Sequence, residues 1–358
     1  RFKSIFHVKG MREKMGFLQL LENAIGYIRN LQQRQAFLGK TLRENGKKEL
    51  PENGKHTGGE KKLSQPIDAQ QIEGKIAGVD SGFAGQSFYT LDLMLLRSVG
   101  VCFTYEKGKM VKAKYLPETN TLPEPILNTE GLEREEFHTF VSLTRLQAEV
   151  NTAKEIIENE KPRVCFLDGS IILHPMDKPA NESKLQKKYG ETIHAFVELY
   201  QTAEKNNCTL IGAIEDSRST KLSDMMRENG MLPLEKNETL SDVALLENVL
   251  SAGERSMAFP LYTMGEKNTI LEDFPTEWSE KIHACYVKPS QWDYPLRIEF
   301  ISTKEKMGEN AQRASTIALA QSNLHKEYAF PSILIEADLR AGLKPEEVEL
   351  VSDKILSK

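Results

Sequence analysis

Two short apolar segments each run into an aspartate that is followed at once by small residues. Ile76-Ala77-Gly78-Val79 leads to Asp80 with Ser81-Gly82 behind it, and the segment Arg163–Leu167 leads to Asp168 with Gly169-Ser170 behind it. Short apolar runs bounded by turn-forming residues predict strands buried on both faces, which need helices above and below the sheet. An aspartate that ends such a strand projects into the crevice at the sheet edge, where α/β folds bind ligands. The small neighbours let a phosphate backbone or an ion come close. Taken singly, either aspartate reads more readily as a turn residue satisfying backbone donors. As a matched pair in one sheet they favour a shared divalent cation, because Mg²⁺ and Mn²⁺ prefer oxygen ligands.

The remaining pattern fits around that pair. Phe88–Tyr105 is long and β-rich, and Lys107-Gly108-Lys109 turns it into a strand over Met110–Leu116. With Ile76–Val79 these make three consecutive strands. Helix over Glu133–Asn159, strand over 163–167, helix over Ser183–Lys205 and strand over Thr209–Ile214 follow. Then come a helix over Thr239–Leu250, a strand pair over Ile282–Lys288 and Tyr294–Ile301, and helices over Asn310–Leu324 and Ile333–Ala341. The order β-β-β-α-β-α-β implies an α/β fold, a mixed sheet flanked by helices, and matches the ribonuclease H-like architecture. Ahead of it, Phe17–Leu42 carries Phe17, Leu20, Leu21, Ile25, Ile28 and Leu31 at helical spacing. That stripe must be covered by the body or by a second copy of the chain. Glu44–Pro66 reads as a linker. Gly39-Lys40-Thr41 resembles the end of a phosphate loop, but Arg34 stands where the earlier glycine is required, so an ATP-using enzyme is disfavoured.

Composition narrows the chemistry. The net charge is −5, which excludes a uniformly basic nucleic-acid coat, but residues 1–62 hold 14 Lys+Arg against 6 Asp+Glu, a basic arm on an acidic body. No apolar run is long enough to span a membrane and no secretory signal is read, so the expected location is cytoplasmic. Four scattered cysteines, Cys102, Cys165, Cys208 and Cys285, argue against a zinc site and fit a reducing compartment. Any metal must then be held mainly by carboxylates.

Further candidates lie around the aspartate pair. On the helix between the two strands, Leu143, Leu146, Val150, Ala153 and Ile157 form the apolar stripe, and Glu149 falls on its margin. A glutamate there needs a partner, and a metal would serve; an ordinary boundary residue reaching water is the alternative. Asp338, in Leu334-Ile335-Glu336-Ala337-Asp338-Leu339, reads by itself as a surface residue, with Glu336 an equal competitor. Arg218 and Lys221, in a run rich in hydroxyls, suit phosphate oxygens; a polar loop entering a helix is the equal alternative. Arg297 lies in a strand and faces either the site or Glu299.

Together these residues resemble the NurA family of DNA end-resection nucleases, from about Ile76 to Ala341. The resemblance rests on Gly78-Val79-Asp80-Ser81-Gly82, Phe166-Leu167-Asp168-Gly169-Ser170, Ile214-Glu215-Asp216-Ser217-Arg218-Ser219, Ser241-Asp242-Val243-Ala244-Leu245-Leu246, Leu296-Arg297-Ile298-Glu299, and Phe330-Pro331 with Ala337-Asp338. It implies a ribonuclease H-like nuclease domain over 67–358, with a helical insertion around 216–275 and C-terminal helices, behind a basic helical extension and linker over 1–66. It also implies a manganese (or magnesium) site of Asp80, Glu149, Asp168 and Asp338, the last assigned by the resemblance alone. Family members often carry His where Asp338 stands, Tyr where Phe330 stands, and Lys near Glu215. The resemblance further implies a DNA substrate, a homodimer, and docking on a HerA-type hexameric ATPase. The expected activity is two-metal phosphodiester hydrolysis at DNA ends. A structure-selective nuclease for junctions or RNA–DNA hybrids, and a non-catalytic scaffold for an ATPase, are the competing readings.

Overall fold

The computed structural model describes residues 17–45, 60, 62–68, 70–88, 91–119, 122–129, 131–232, 240–262, 270–323 and 327–356. Eleven strands form one mixed sheet: β1 (Ser64–Pro66), β2 (Gly74–Ser87), β3 (Asp92–Glu106), β4 (Lys109–Leu116), β5 (Glu124–Asn128), β6 (Val164–Asp168), β7 (Thr209–Ile214), β8 (Glu254–Ser256), β9 (Phe259–Pro260), β10 (Ile282–Lys288) and β11 (Leu296–Ile301). Their order is β1-β8-β10-β11-β7-β6-β2-β3-β4, with β5 paired to β3 and β9 to β10. Among the described residues only β2–β6 and β6–β7 pair in parallel, so the parallel centre is flanked by antiparallel strands. This is the ribonuclease H-like arrangement expected from the element order.

The helices are α1 (Phe17–Asn45), α2 (Arg134–Glu160), α3 (Gln186–Lys205), α4 (Lys221–Glu228), α5 (Asp242–Leu246), α6 (Thr276–Ser279), α7 (Met307–Ser322), α8 (Ser332–Ala341) and α9 (Pro345–Leu356). α2 and α3 cover one face of the sheet through Leu143, Val150, Ile157, Phe196 and Tyr200. The other face meets α7 and α8 through Ala311, Ala314, Ala318, Ile333, Leu334 and Ala337. The central strands alternate accordingly: Ala77, Val79, Cys165 and Leu167 point to the first face, Ile76, Val164 and Phe166 to the second. No helix among the described residues is long and apolar enough to cross a membrane.

Several elements differ from the sequence pattern. Ser81-Gly82 makes no turn. β2 runs straight through Asp80 to Ser87, with Asp80 opposite Val99 and Gly82 opposite Arg97 on β3. The glycine there answers a packing need: a Cβ on Gly82 would lie 2.2 Å from the carbonyl oxygen of Ala341. The true turn is Lys107-Gly108, both at positive φ, between β3 and β4. The expected helix over 239–250 shrinks to α5, its first residue lying outside the described residues, as does most of the expected linker.

α1 extends to Asn45. Its C-terminal end docks on the body: Leu38 and Leu42 are buried, and Arg43 donates to the carbonyl of Val249 (3.0 Å) and to Ser251 Oγ (2.6 Å). Leu20, Leu21, Ile25, Ile28 and Leu31 are exposed among the described residues.

Candidate metal centre

Period-two alternation places the central carboxylates. On β2, Asp80 shares the side of Ile76 and Gly78, toward α8; Ser81 shares the side of Val79, toward α2. Asp168 closes β6 on the α8 side, beside β2 in the parallel register Val79–Leu167. α8 brings Asp338 over this edge, and two glycines let it come so close. A Cβ on Gly78 would stand 2.8 Å from Ile333 Cγ1, and one on Gly82 would strike Ala341. Gly78 and Gly82 therefore bracket Asp80 with a flat seat for α8, and the carboxyls of Asp80 and Asp338 come within hydrogen-bonding reach.

α2 supplies Glu149 from the opposite face. The residue is 4 % exposed, and its Oε1 accepts from Ser81 Oγ at 2.7 Å and from Arg145 Nη1 at 2.7 Å. The four carboxylates expected to form the site thus gather at one sheet edge, but they are not equivalent: Asp80 and Glu149 are buried, Asp168 is half-buried, and Asp338 is exposed.

The electrostatics show a shortage of positive charge. Burial pushes Asp168 up to about 8, helped by the charges of Asp80, Glu149 and Asp338. Burial pushes Glu149 up to about 7 against the pull of Arg145 and Ser81. Asp80 is raised too, by burial and then by Asp338. Crowded buried carboxylates with raised proton affinity are the condition a divalent cation relieves, and the donors are all hard oxygens. The fit is one of charge and donor type. Among the described residues no three His, Cys, Asp or Glu side chains stand together as a closed ligand set. The bonds from Arg145 and Ser81 hold Glu149 in its orientation.

Sequence reasoning passed over two supports of this centre. Arg145 lies one helical turn before Glu149, and that i, i+4 spacing was the available signal. Glu299, on β11, holds the backbone just past Asp168: its Oε2 accepts from Ser170 Oγ (2.6 Å) and from the Ile171 amide (3.1 Å). Arg297 faces Glu299 (2.6 Å) rather than the cleft, and is largely buried there. It thereby steadies the group that steadies the Asp168 loop. Arg218 is exposed beside the site, on the segment after β7, and Lys221 opens α4.

The sequence model of the NurA domain matches residues 74–342, a span that takes in Asp80, Glu149, Asp168 and Asp338. The chain belongs to the NurA family. A comparison with curated proteins finds no match. Among solved structures, the NurA nuclease from Sulfolobus solfataricus is similar at 13 % identity, covering 95 % of this chain and 96 % of that chain, with a TM-score of 0.56. A second structure described as NurA is similar at 11 % identity, covering 95 % and 97 %, with a TM-score of 0.52. At these identities the likeness is one of fold, and it runs nearly the full length of both chains. α1 lies outside the span matched by the NurA domain.

Proposed function

We propose that this NurA protein is a manganese- or magnesium-dependent deoxyribonuclease that trims DNA ends. The observation that carries this reading is the gathering of Asp80, Asp168, Asp338 and Glu149 at one sheet edge, with Asp168 and Glu149 raised to about 8 and about 7. Asp80, Asp168 and Asp338 would hold the cations from the α8 side and Glu149 from the α2 side. Two bound divalent ions would supply an acidified attacking water and positive charge beside the leaving 3′ oxygen. The chain's own residues do the rest. Gly78 and Gly82 keep Asp338 close to Asp80, and Glu299 fixes the backbone after Asp168. Arg145, bonded to Glu149, sets a guanidinium beside the carboxylates.

The charge distribution supports a delivered substrate. Residues 1–62 carry the excess of cations within a chain of net charge −5, so the remainder is acidic and repels a polyanion. Weak intrinsic DNA affinity, with Arg218 and Lys221 as local phosphate contacts, fits DNA fed by a HerA-type hexameric ATPase. The exposed stripe of α1 suits a homodimer or that docking. Free cysteines throughout suit a cytoplasmic location.

The test is cleavage of end-labelled linear DNA with Mn²⁺ and with EDTA, comparing wild type with Asp80→Asn and Asp168→Asn. Metal-dependent shortening by the wild type alone is expected. Full activity in either variant would refute the site.

A further inference from the structure

A second cleft of about 330 Å³ opens on the same sheet edge, beyond β7 from the carboxylates. Its walls include Glu215, Asp216, Arg218, Asp293, Tyr294 and Phe330. Tyr328 links it to the metal centre: its hydroxyl lies 3.4 Å from Glu215 Oε2, its ring 6.1 Å from that of Phe330, and its phenol feels the charges of Asp168 and Asp338.

The turn between β10 and β11 is tied down while its rings stay in water. Asp293 Oδ2 accepts from the Ala329 amide (2.7 Å), Oδ1 from the Tyr294 amide (2.7 Å), and its carbonyl from Lys288 Nζ (2.5 Å). Yet Trp292 and Tyr294 are each 67 % exposed. Asp293 thereby fixes the Tyr294 side of the cleft to the Phe330 side. Large rings left uncovered on a turn whose backbone is fixed are a stacking surface.

Resting on the nuclease reading above, the geometry points to this cleft as the seat of an unpaired nucleobase at the end of the strand being cut, stacked on Tyr294. The carboxylates of Glu215 and Asp216 suit a neutral base with amino donors, and Arg218 on the same cleft suits the phosphate next to it. A paired base keeps its faces inside the duplex stack and cannot enter, so the site selects frayed or single-stranded ends.

The test is a fluorescence titration of the full chain in Ca²⁺ with a short single-stranded deoxyoligonucleotide ending in 2-aminopurine. Stacking should quench the probe. Tyr294→Ala should weaken binding roughly 5- to 150-fold and abolish the quench, whereas Tyr294→Phe should keep both. Equal melting temperatures would show that the variants fold. Unchanged binding and quench in Tyr294→Ala, absence of any quench, or equal competition by a strand with an abasic end would each overturn the assignment. Cleavage is not read in this assay. A protein that trims DNA with Mn²⁺ but binds the probe independently of Tyr294 loses the cleft alone. One that quenches through Tyr294 but never cleaves loses the nuclease reading alone.

Discussion

Two regions of this molecule bury charge, and they do it in opposite ways. Near β8, Arg255 is buried with every polar group answered. Its guanidinium meets Glu60 at 2.6 Å and 3.2 Å, Gln312 at 2.8 Å and the Ser256 carbonyl at 3.0 Å, while Glu60 also accepts from the Ala258 amide. Where β2 and β6 meet, Asp80, Asp168 and Glu149 share the nearby guanidinium of Arg145, and two of them are pushed up to about 7 and about 8. The first network is balanced and complete, which is how a structural ion pair is built. The second is short of cations, and it lies at an opening. A charge imbalance kept at the edge of a sheet marks where something positive has to arrive.

The contrast can be broken from either side. The largest expected effect on stability is at the balanced network: Arg255→Ala strands Glu60 and should cost about 3–5 kcal/mol in denaturant unfolding. The next is at the seat of α8. Gly82→Ala should cost about 1–3 kcal/mol and lower cleavage as well, because its Cβ displaces the helix that carries Asp338. Gly190→Ala on α3, where a Cβ meets nothing within 4 Å, is the control and should instead stabilise, by up to about 1 kcal/mol.

The carboxylate centre should behave in the opposite sense to the balanced pair. Asp168 and Glu149 bind protons more tightly folded than unfolded, where carboxyls titrate near ~4. Their contribution to stability is therefore full below that value and is lost as pH rises toward about 7 and about 8. Thermal melts in EDTA should fall across that window. Asp168→Asn should flatten the fall and melt higher than wild type at pH 8. Smallest is Arg145→Ala, which should cost the metal-free protein about 1 kcal/mol. That deficit should disappear in saturating Mn²⁺, as seen in paired melts.

What was legible in the sequence follows from range. Asp80 and Asp168 were visible because each sits behind a local apolar run, and Glu149 because a helical stripe fixes its angle. β7 and α2 emerged almost to the residue for the same reason. Asp338 was not legible from its own helix, where Glu336 looks as good; only the seat made by Gly78 and Gly82, some 250 residues earlier in the chain, decides which carboxylate faces Asp80. Ser81-Gly82 misled because a small pair reads as a turn when its true constraint is a helix lying across it. The short strands β1, β8 and β9 have no periodicity to read, and the pairing of Glu60 with Arg255 spans 195 positions.

The most direct test of the charge deficit is a calorimetric titration of the metal-free protein with Mn²⁺ at pH 7, repeated in buffers of different ionisation heat. The account expects saturable binding with release of protons from the Asp168 and Glu149 carboxyls, and a marked loss of both in Asp168→Asn. No Mn²⁺ binding, or binding in Asp168→Asn equal to wild type, would contradict it.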